Sequence, residues 1–275
     1  MGLNKVVIRQ RTHLVIPDTQ AKAGVPTDHL HWIGRYILDR RPDVIVHLGD
    51  HWDMPSLSEY DRGKIQFEGR RYKEDIQAGN EAFAIITKYI RQYNAHQKLI
   101  KHKQYKPRLV FLLGNHEDRI SRAVENNPQL EGVIGHSDLD IEGWEVHDFL
   151  EPVWIDGICY SHYFYNPMSG RPYGGQVATR LKTIGHTFTM GHQQTLDYAI
   201  RFVGDKSQHG LVAGACYLHD EDYKGPQGNA HWRGVIVKHA VNDGQYNPMF
   251  VDLDYLCRKY DGRSLNNLQG GGYGV

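Results

Sequence analysis

The chain is predicted to be an α/β protein, on three observations. Apolar strand-like runs alternate with helical periodicities up to Glu117, in the order βαβαβ. Beyond Glu151 the pattern becomes short β-rich runs separated by Gly, Asn, Asp and Pro turns. Several of these runs end in short turns that carry Asp, Asn, His or Gln.

The first strand is HLVIPD, followed by TDHLHWIGRYILDRRPD, where Thr27 is placed to cap a helix with Leu30, Ile33 and Ile37 at helical spacing. VIVHLGD is a second buried strand. A helix from about Glu74 to Asn94 puts Ile76, Phe83, Ile86 and Ile90 near one face, and LVFLLGNH is the third strand. This order implies neighbouring parallel strands joined by right-handed crossovers. In the second half VWIDGICYSHYF, TFTMGH, TLDYAIRF, GLVAGACY, WRGVIVKHAV and MFVDLDYL read as strands of a more antiparallel sheet, interrupted by a helix near GGQVATRLKTI. No Pro/Ser-rich or single-sign charged stretch divides the 275 residues, so 1–265 is expected to form a single domain, with the glycine-rich 266–275 as a flexible tail.

Lys+Arg and Asp+Glu balance at 32 each, so affinity for nucleic acid or an acidic membrane would have to come from a local patch. No apolar run is long enough to span a membrane or serve as a signal peptide, and Val6 stands where a myristoylation motif needs Ser or Thr. Cys159, Cys216 and Cys257 are too scattered for a C-x-x-C site and read as reduced, packed thiols. A soluble, cytoplasmic protein is expected. The 17 histidines are an excess that suggests chemistry, although His29, His96 and His102 lie in polar stretches and read as solvated.

The polar turns come in a definite order: Asp18 in DTQ, Asp50 in GDHWD, Asn115 and His116 in GNHE, His162 in YSHYF, and His192 in GHQQ. Open α/β sheets bind ligands beyond the carboxyl ends of their strands, so these side chains can converge. From Asp18 to Gln194 the order resembles the calcineurin-like metallophosphoesterases, whose pattern is D-x-H, GD-x-x-D, GNH-D/E, a lone H and GH-x-H. It is also similar to the members of that superfamily that bacteriophages encode. The resemblance implies a two-sheet β-sandwich flanked by helices (αββα) around a binuclear metal centre. One metal would fall to Asp18, Gln20, Asp50 and Gln194, the other to Asp50, Asn115, His162 and His192, with Asp50 bridging. A bridging carboxylate can hold two cations about 3.5–4 Å apart, where they clamp a phosphoryl group and acidify a shared water. His116 would face the leaving oxygen. Asp53 would orient it, unless that carboxylate serves only a turn or helix cap, and neighbouring negative charge would raise the pKa of His116.

Gln20 and Gln194 replace two histidines of the family pattern, both at the same metal. An amide oxygen is harder and a weaker donor than imidazole, which shifts that position from zinc or iron toward manganese or magnesium and loosens its hold. Two divalent ions, manganese first, are therefore expected; the rival reading leaves the glutamine-containing position weak or empty. Arg119, in GNHEDR, resembles an Arg with which some protein phosphatases grip phosphate, or else makes a surface ion pair. Those enzymes carry an Asp-Arg-Gly extension where this chain reads DMPSLSEY. Arg62, Lys64, Arg70, Arg71 and Lys73 could track a phosphodiester backbone, but Asp61, Glu68 and Glu74 dilute them into an ordinary solvated face. The loop after His162 offers Arg171, with Tyr163, Tyr165 and Tyr173, as one wall of a substrate pocket. The sequence favours a phosphodiesterase or nuclease acting on a phosphate ester, with nucleic acid a candidate substrate. The alternatives are a phosphomonoesterase, including a protein phosphatase, and a metal-holding binding protein without catalysis.

Overall fold

The computed structural model describes residues 10–59, 63, 65–221, 225–265 and 267. Arg62, Lys64 and the tail except for Asn267 lie outside these residues. Four parallel strands, β1 (Arg11–Ile16), β2 (Val44–His47), β3 (Arg108–Leu112) and β4 (Glu145–His147), form most of the first sheet. Helices α1 (Asp28–Arg40) and α2 (Tyr72–Leu99) make the first two crossovers, and α3 (Arg119–Asn126) lies between β3 and β4.

The second sheet contains β5 (Val153–Ile155), β6 (Ile158–Tyr160), β7 (Phe188–Met190), β8 (Leu196–Val203) and β9 (Lys206–Ala213), in the order β5-β6-β7-β9-β8. The expectation of a more antiparallel sheet holds only at its margins, where β5–β6 and β8–β9 are hairpins. Its centre, β6-β7-β9, is parallel, because α4 (Val177–Ile184) carries the chain from β6 back to the start of β7. After the short turn α5 (Gly225–Asn229) the chain returns to the first sheet as β10 (Gly234–Asn242) and β11 (Gln245–Asp252), giving β11-β10-β1-β2-β3-β4. MFVDLDYL is not one strand. The Asp252 carboxylate accepts the Tyr255 N–H at 2.7 Å and starts α6 (Leu253–Asp261). Thr27 precedes α1 without a side-chain capping bond.

Strand periodicity sorts the apolar side chains into layers. Leu14, Ile16, Ile45 and Phe111 face α1 and α2, in one core with Ile33, Ile37, Phe83 and Ile86. Their neighbours Val15, Val44, Val46, Val110 and Leu112 face the second sheet, against Ile155, Ile158, Tyr160, Leu211 and Ala213. On the far side of the second sheet Phe188, Met190 and Val212 pack on Val177 and Leu181 of α4. The chain is therefore α/β, with two mixed sheets face to face between helical layers. The three cysteines are buried and free, and among the described residues no helix is long and apolar enough to cross a membrane.

Candidate metal centre

The turns at the carboxyl ends of β1, β2, β3, β6 and β7 meet at one place. The Thr19 and Gln20 N–H groups donate to the Asp50 carbonyl at 3.2 and 2.9 Å, Gly191 N–H to the His162 carbonyl at 3.0 Å, and Cys216 N–H to the Asp18 carbonyl at 2.7 Å. Gln20, Asp50, His192 and Gln194 adopt φ of 41°, 50°, 68° and 59°. This left-handed backbone is costly for a residue with a Cβ, and such strain concentrates where side chains are aimed for function. Two motif glycines are needed for close approach: a Cβ on Gly114 would lie 2.2 Å from Asp50 Oδ1, and one on Gly191 would lie 2.4 Å from Asp18 Oδ1.

Asp50, His162 and His192 form a group that could hold a metal ion, their ligand atoms lying within 4.8 Å of one another. His162 Nδ1–H donates to the Leu48 carbonyl at 2.7 Å, so the neutral ring presents a bare lone pair on Nε2. That lone pair faces Asn115 Oδ1 at 2.9 Å and Asp50 Oδ2 at 3.4 Å. Asn115 Oδ1 also faces His192 Nδ1 at 2.7 Å. Acceptors gathered this way need a cation or a proton between them. The same demand appears in the titration of His162: burial opposes its charge, but the Asp50 carboxylate outweighs burial and raises its pKa to about 9. Burial and the His162 charge instead lower His192 to about 4, which keeps that ring neutral, the form that can ligate a metal.

Beside this group, Asp18 Oδ2 and both amide atoms of Gln20 are buried without a hydrogen-bond partner. Orphaned buried polar atoms are costly and rare, so their presence here fits a site for a bound cation. Burial and the Asp50 charge raise the Asp18 pKa to about 7. Gln194 is buried too, and its Oε1 accepts the Tyr217 hydroxyl at 2.9 Å. The residues present fit a cation at the group of Asp50, His162 and His192, and the orphaned atoms of Asp18 and Gln20 lie beside it.

The Asp53 carboxylate holds His116 Nδ1–H at 2.8 Å and is itself gripped by Lys22 Nζ at 2.9 Å. Burial alone would push Asp53 up, but the His116 bond and Lys22 bring its pKa below the usual carboxylate range. His116 Nε2 lies 3.8 Å from Asp50 Oδ2. Burial disfavours its charge, yet Asp50 and Asp53 raise its pKa above the ordinary value. Arg119 is not a surface ion pair. Its Nη1 donates to the Asp53 and Met54 carbonyls at 2.7 and 3.2 Å, and its Nη2 to His116 Nε2 at 3.2 Å. That last bond requires an unprotonated Nε2, so protonation of the ring frees Nη2 while Nη1 stays on the two carbonyls. Arg171 is exposed in the loop closed by Asn166 N–H to its carbonyl at 2.9 Å, and among the described residues its side chain makes no polar contact with the cluster.

Several supporting residues were not picked out from the sequence. Glu117 is fully buried, and its two oxygens accept four backbone N–H groups, from Asp50, His51, Trp52 and Gly114, at 2.7–2.9 Å. It ties the GD and GN turns together. The hint was the acid that directly follows GNH. Behind it runs a neutral chain of donors: Gly49 N–H to His47 Nδ1, His47 Nε2–H to Thr19, Thr19 Oγ1–H to His51 Nδ1 at 2.6 Å, and His51 Nε2–H to the Gly79 carbonyl. Burial lowers the pKa of both rings, that of His51 to about 4. Part of the histidine excess is thus structural. His96 and His102 are exposed as expected, whereas His29 is buried, because it lies on the inward face of α1.

No protein-family model and no curated protein matched the chain when it was compared with them.

Proposed function

We propose that the chain is a metal-dependent phosphoric ester hydrolase of the calcineurin-like metallophosphoesterase type, acting on a phosphodiester. One observation carries this reading. The ligand atoms of Asp50, His162 and His192 converge beside Asn115 Oδ1, and among the described residues no Lys or Arg pairs with Asp50. Asp18, Gln20, Asp50 and Gln194 would hold one cation and Asp50, Asn115, His162 and His192 the other, with manganese suited to the glutamine-containing set. Bound divalent ions would polarise the phosphoryl oxygens and lower the pKa of a water to make a nucleophile near neutral pH.

The remaining work falls to the chain's own side chains. Asp53 fixes the His116 tautomer with the proton on Nδ1, which directs Nε2 toward the cluster. A protonated Nε2 can donate to a leaving oxygen, and the carboxylates around it favour that proton. Arg119 Nη2, displaced from Nε2 on protonation, is placed to take a phosphate oxygen. The preference for a diester rests on the missing Asp-Arg-Gly extension.

The test is metal-stripped protein titrated with manganese against bis(p-nitrophenyl) phosphate and p-nitrophenyl phosphate. The diester is expected to turn over, faster than the monoester and in step with metal. A faster monoester would reassign the enzyme as a phosphomonoesterase, and silence on both at saturating manganese would leave a binding protein. In the same assay His116→Gln is expected to lower turnover about 10²- to 10⁴-fold with manganese affinity unchanged. An equal loss of affinity would make His116 a structural residue.

A further inference from the structure

The opposite end of the first sheet carries a groove of about 1080 Å³. It is framed by the starts of the parallel strands, at Arg11 of β1, Asp43 beside β2 and Arg108 of β3, and by the segment that follows α2. The groove lies at the start of β3 (Arg108–Leu112) and Asn115 in the turn beyond its end, which puts the groove roughly 15–20 Å from the candidate metal centre. Its lining is strongly basic although the chain as a whole is neutral. The only carboxylate in the lining, Asp43, is occupied by the Thr12 N–H at 3.0 Å.

Some of the cations are accounted for locally. Arg108 is held by both oxygens of Glu145 at 2.9 and 2.8 Å, Arg11 reaches Asp156 at 3.5 Å, and Lys98 sits in the last turn of α2, where the helix dipole favours a cation. Lys101, Lys103 and Lys106 have no such explanation. They lie beyond the helix, are exposed, and form no ion pair among the described residues. The backbone that presents them is fixed. Asn94 bonds both the carbonyl and the N–H of Tyr105, at 2.7 and 2.8 Å, and the Tyr105 hydroxyl donates to the Pro42 carbonyl at 2.6 Å. Exposed like charges gathered at one concavity make a local positive field that favours an anion.

We infer that this groove binds the sugar–phosphate backbone of a single-stranded nucleic acid, at a site separate from the metal centre. Lysines lining a groove can follow a phosphodiester backbone, and a concavity suits one strand better than a duplex. Leu99 and Ile100 are exposed nearby, as a lipid-binding surface would have them, but a flat bilayer does not enter a concavity. The groove would hold a polymer regardless of which ester the metal centre cleaves.

The test is fluorescence anisotropy of a labelled single-stranded oligonucleotide in EDTA, where no divalent metal is present and no cleavage occurs. Binding is expected to weaken steeply from about 50 to 200 mM salt, and K101Q/K103Q/K106Q to lose at least about tenfold in affinity and flatten the log–log salt slope by about 2. Turnover of the small diester by this variant is expected to match the wild type, which keeps this test separate from that of the metal centre. Circular dichroism checks the fold, with the single K103Q change as a milder variant. Wild-type affinity in the triple variant would overturn the proposal. So would a wild-type protein that ignores the oligonucleotide but binds phosphatidylserine vesicles through the same lysines.

Discussion

Asp50→Asn is expected to abolish manganese loading and turnover together. Asp50 is 1 % exposed, and its Oδ2 faces both His162 and His116. Burial opposes its charge, but the surrounding histidines hold its pKa below the usual carboxylate range, so it is the resident anion of the cluster. Asparagine keeps the volume and can still accept the His116 N–H now bound at 2.9 Å, so the fold should survive. The substitution removes the negative charge and turns an amide N–H toward the lone pair of His162 Nε2, which occupies that ligand. Under the proposed function, losing the charge that would anchor a cation removes several kcal/mol of transition-state stabilisation, about 10³-fold or more in rate. Calorimetric titration with manganese should show no high-affinity binding, with an unchanged circular dichroism spectrum. Wild-type manganese affinity in this variant would show that the cluster is not the metal site.

What was legible in the sequence was whatever a short stretch decides for itself. The continuous apolar runs of β1 to β3 and the turns that end them could be read because strand, turn glycine and polar side chain are adjacent in the chain. The convergence of Asp50, Asn115, His162 and His192 followed from strand order, since carboxyl ends of parallel strands share one edge. The parallel core of the second sheet was not legible, because it depends on where α4 returns the chain. Helix α3 hides in a polar stretch with only Ile120 buried, and α6 begins inside a run that alternates like a strand until Asp252 caps it. Lys22 lies 31 residues from Asp53 in sequence, and nothing local announces that its ammonium fixes the carboxylate behind His116. His29 misled for the opposite reason. Its neighbours are charged, but its helical phase puts it on the face with Leu30 and Ile33.

Glu117→Gln is expected to be among the most destabilising isosteric changes in the chain. The two Glu117 oxygens divide four N–H groups between them, Oε1 taking His51 and Trp52 and Oε2 taking Asp50 and Gly114. A glutamine has one acceptor and one donor, so whichever way the amide turns, two buried N–H groups face an NH₂. Each unsatisfied buried donor costs about 1–3 kcal/mol, and the loss of the charge-assisted bonds adds to it, for a total of about 3–5 kcal/mol. The damage should be directed as well as large. The freed N–H groups belong to Asp50 and its neighbours, and those bonds help hold Asp50 in its left-handed backbone at φ 50°. Urea denaturation of the metal-free protein should record the loss in stability. Manganese affinity should fall further than general destabilisation explains, so that even under conditions where the variant is fully folded it binds metal more weakly than wild type. A folded variant with full affinity would mean that the GD turn keeps its geometry without the carboxylate, and that the strain at Asp50 is supported instead by the neighbouring DTQ turn.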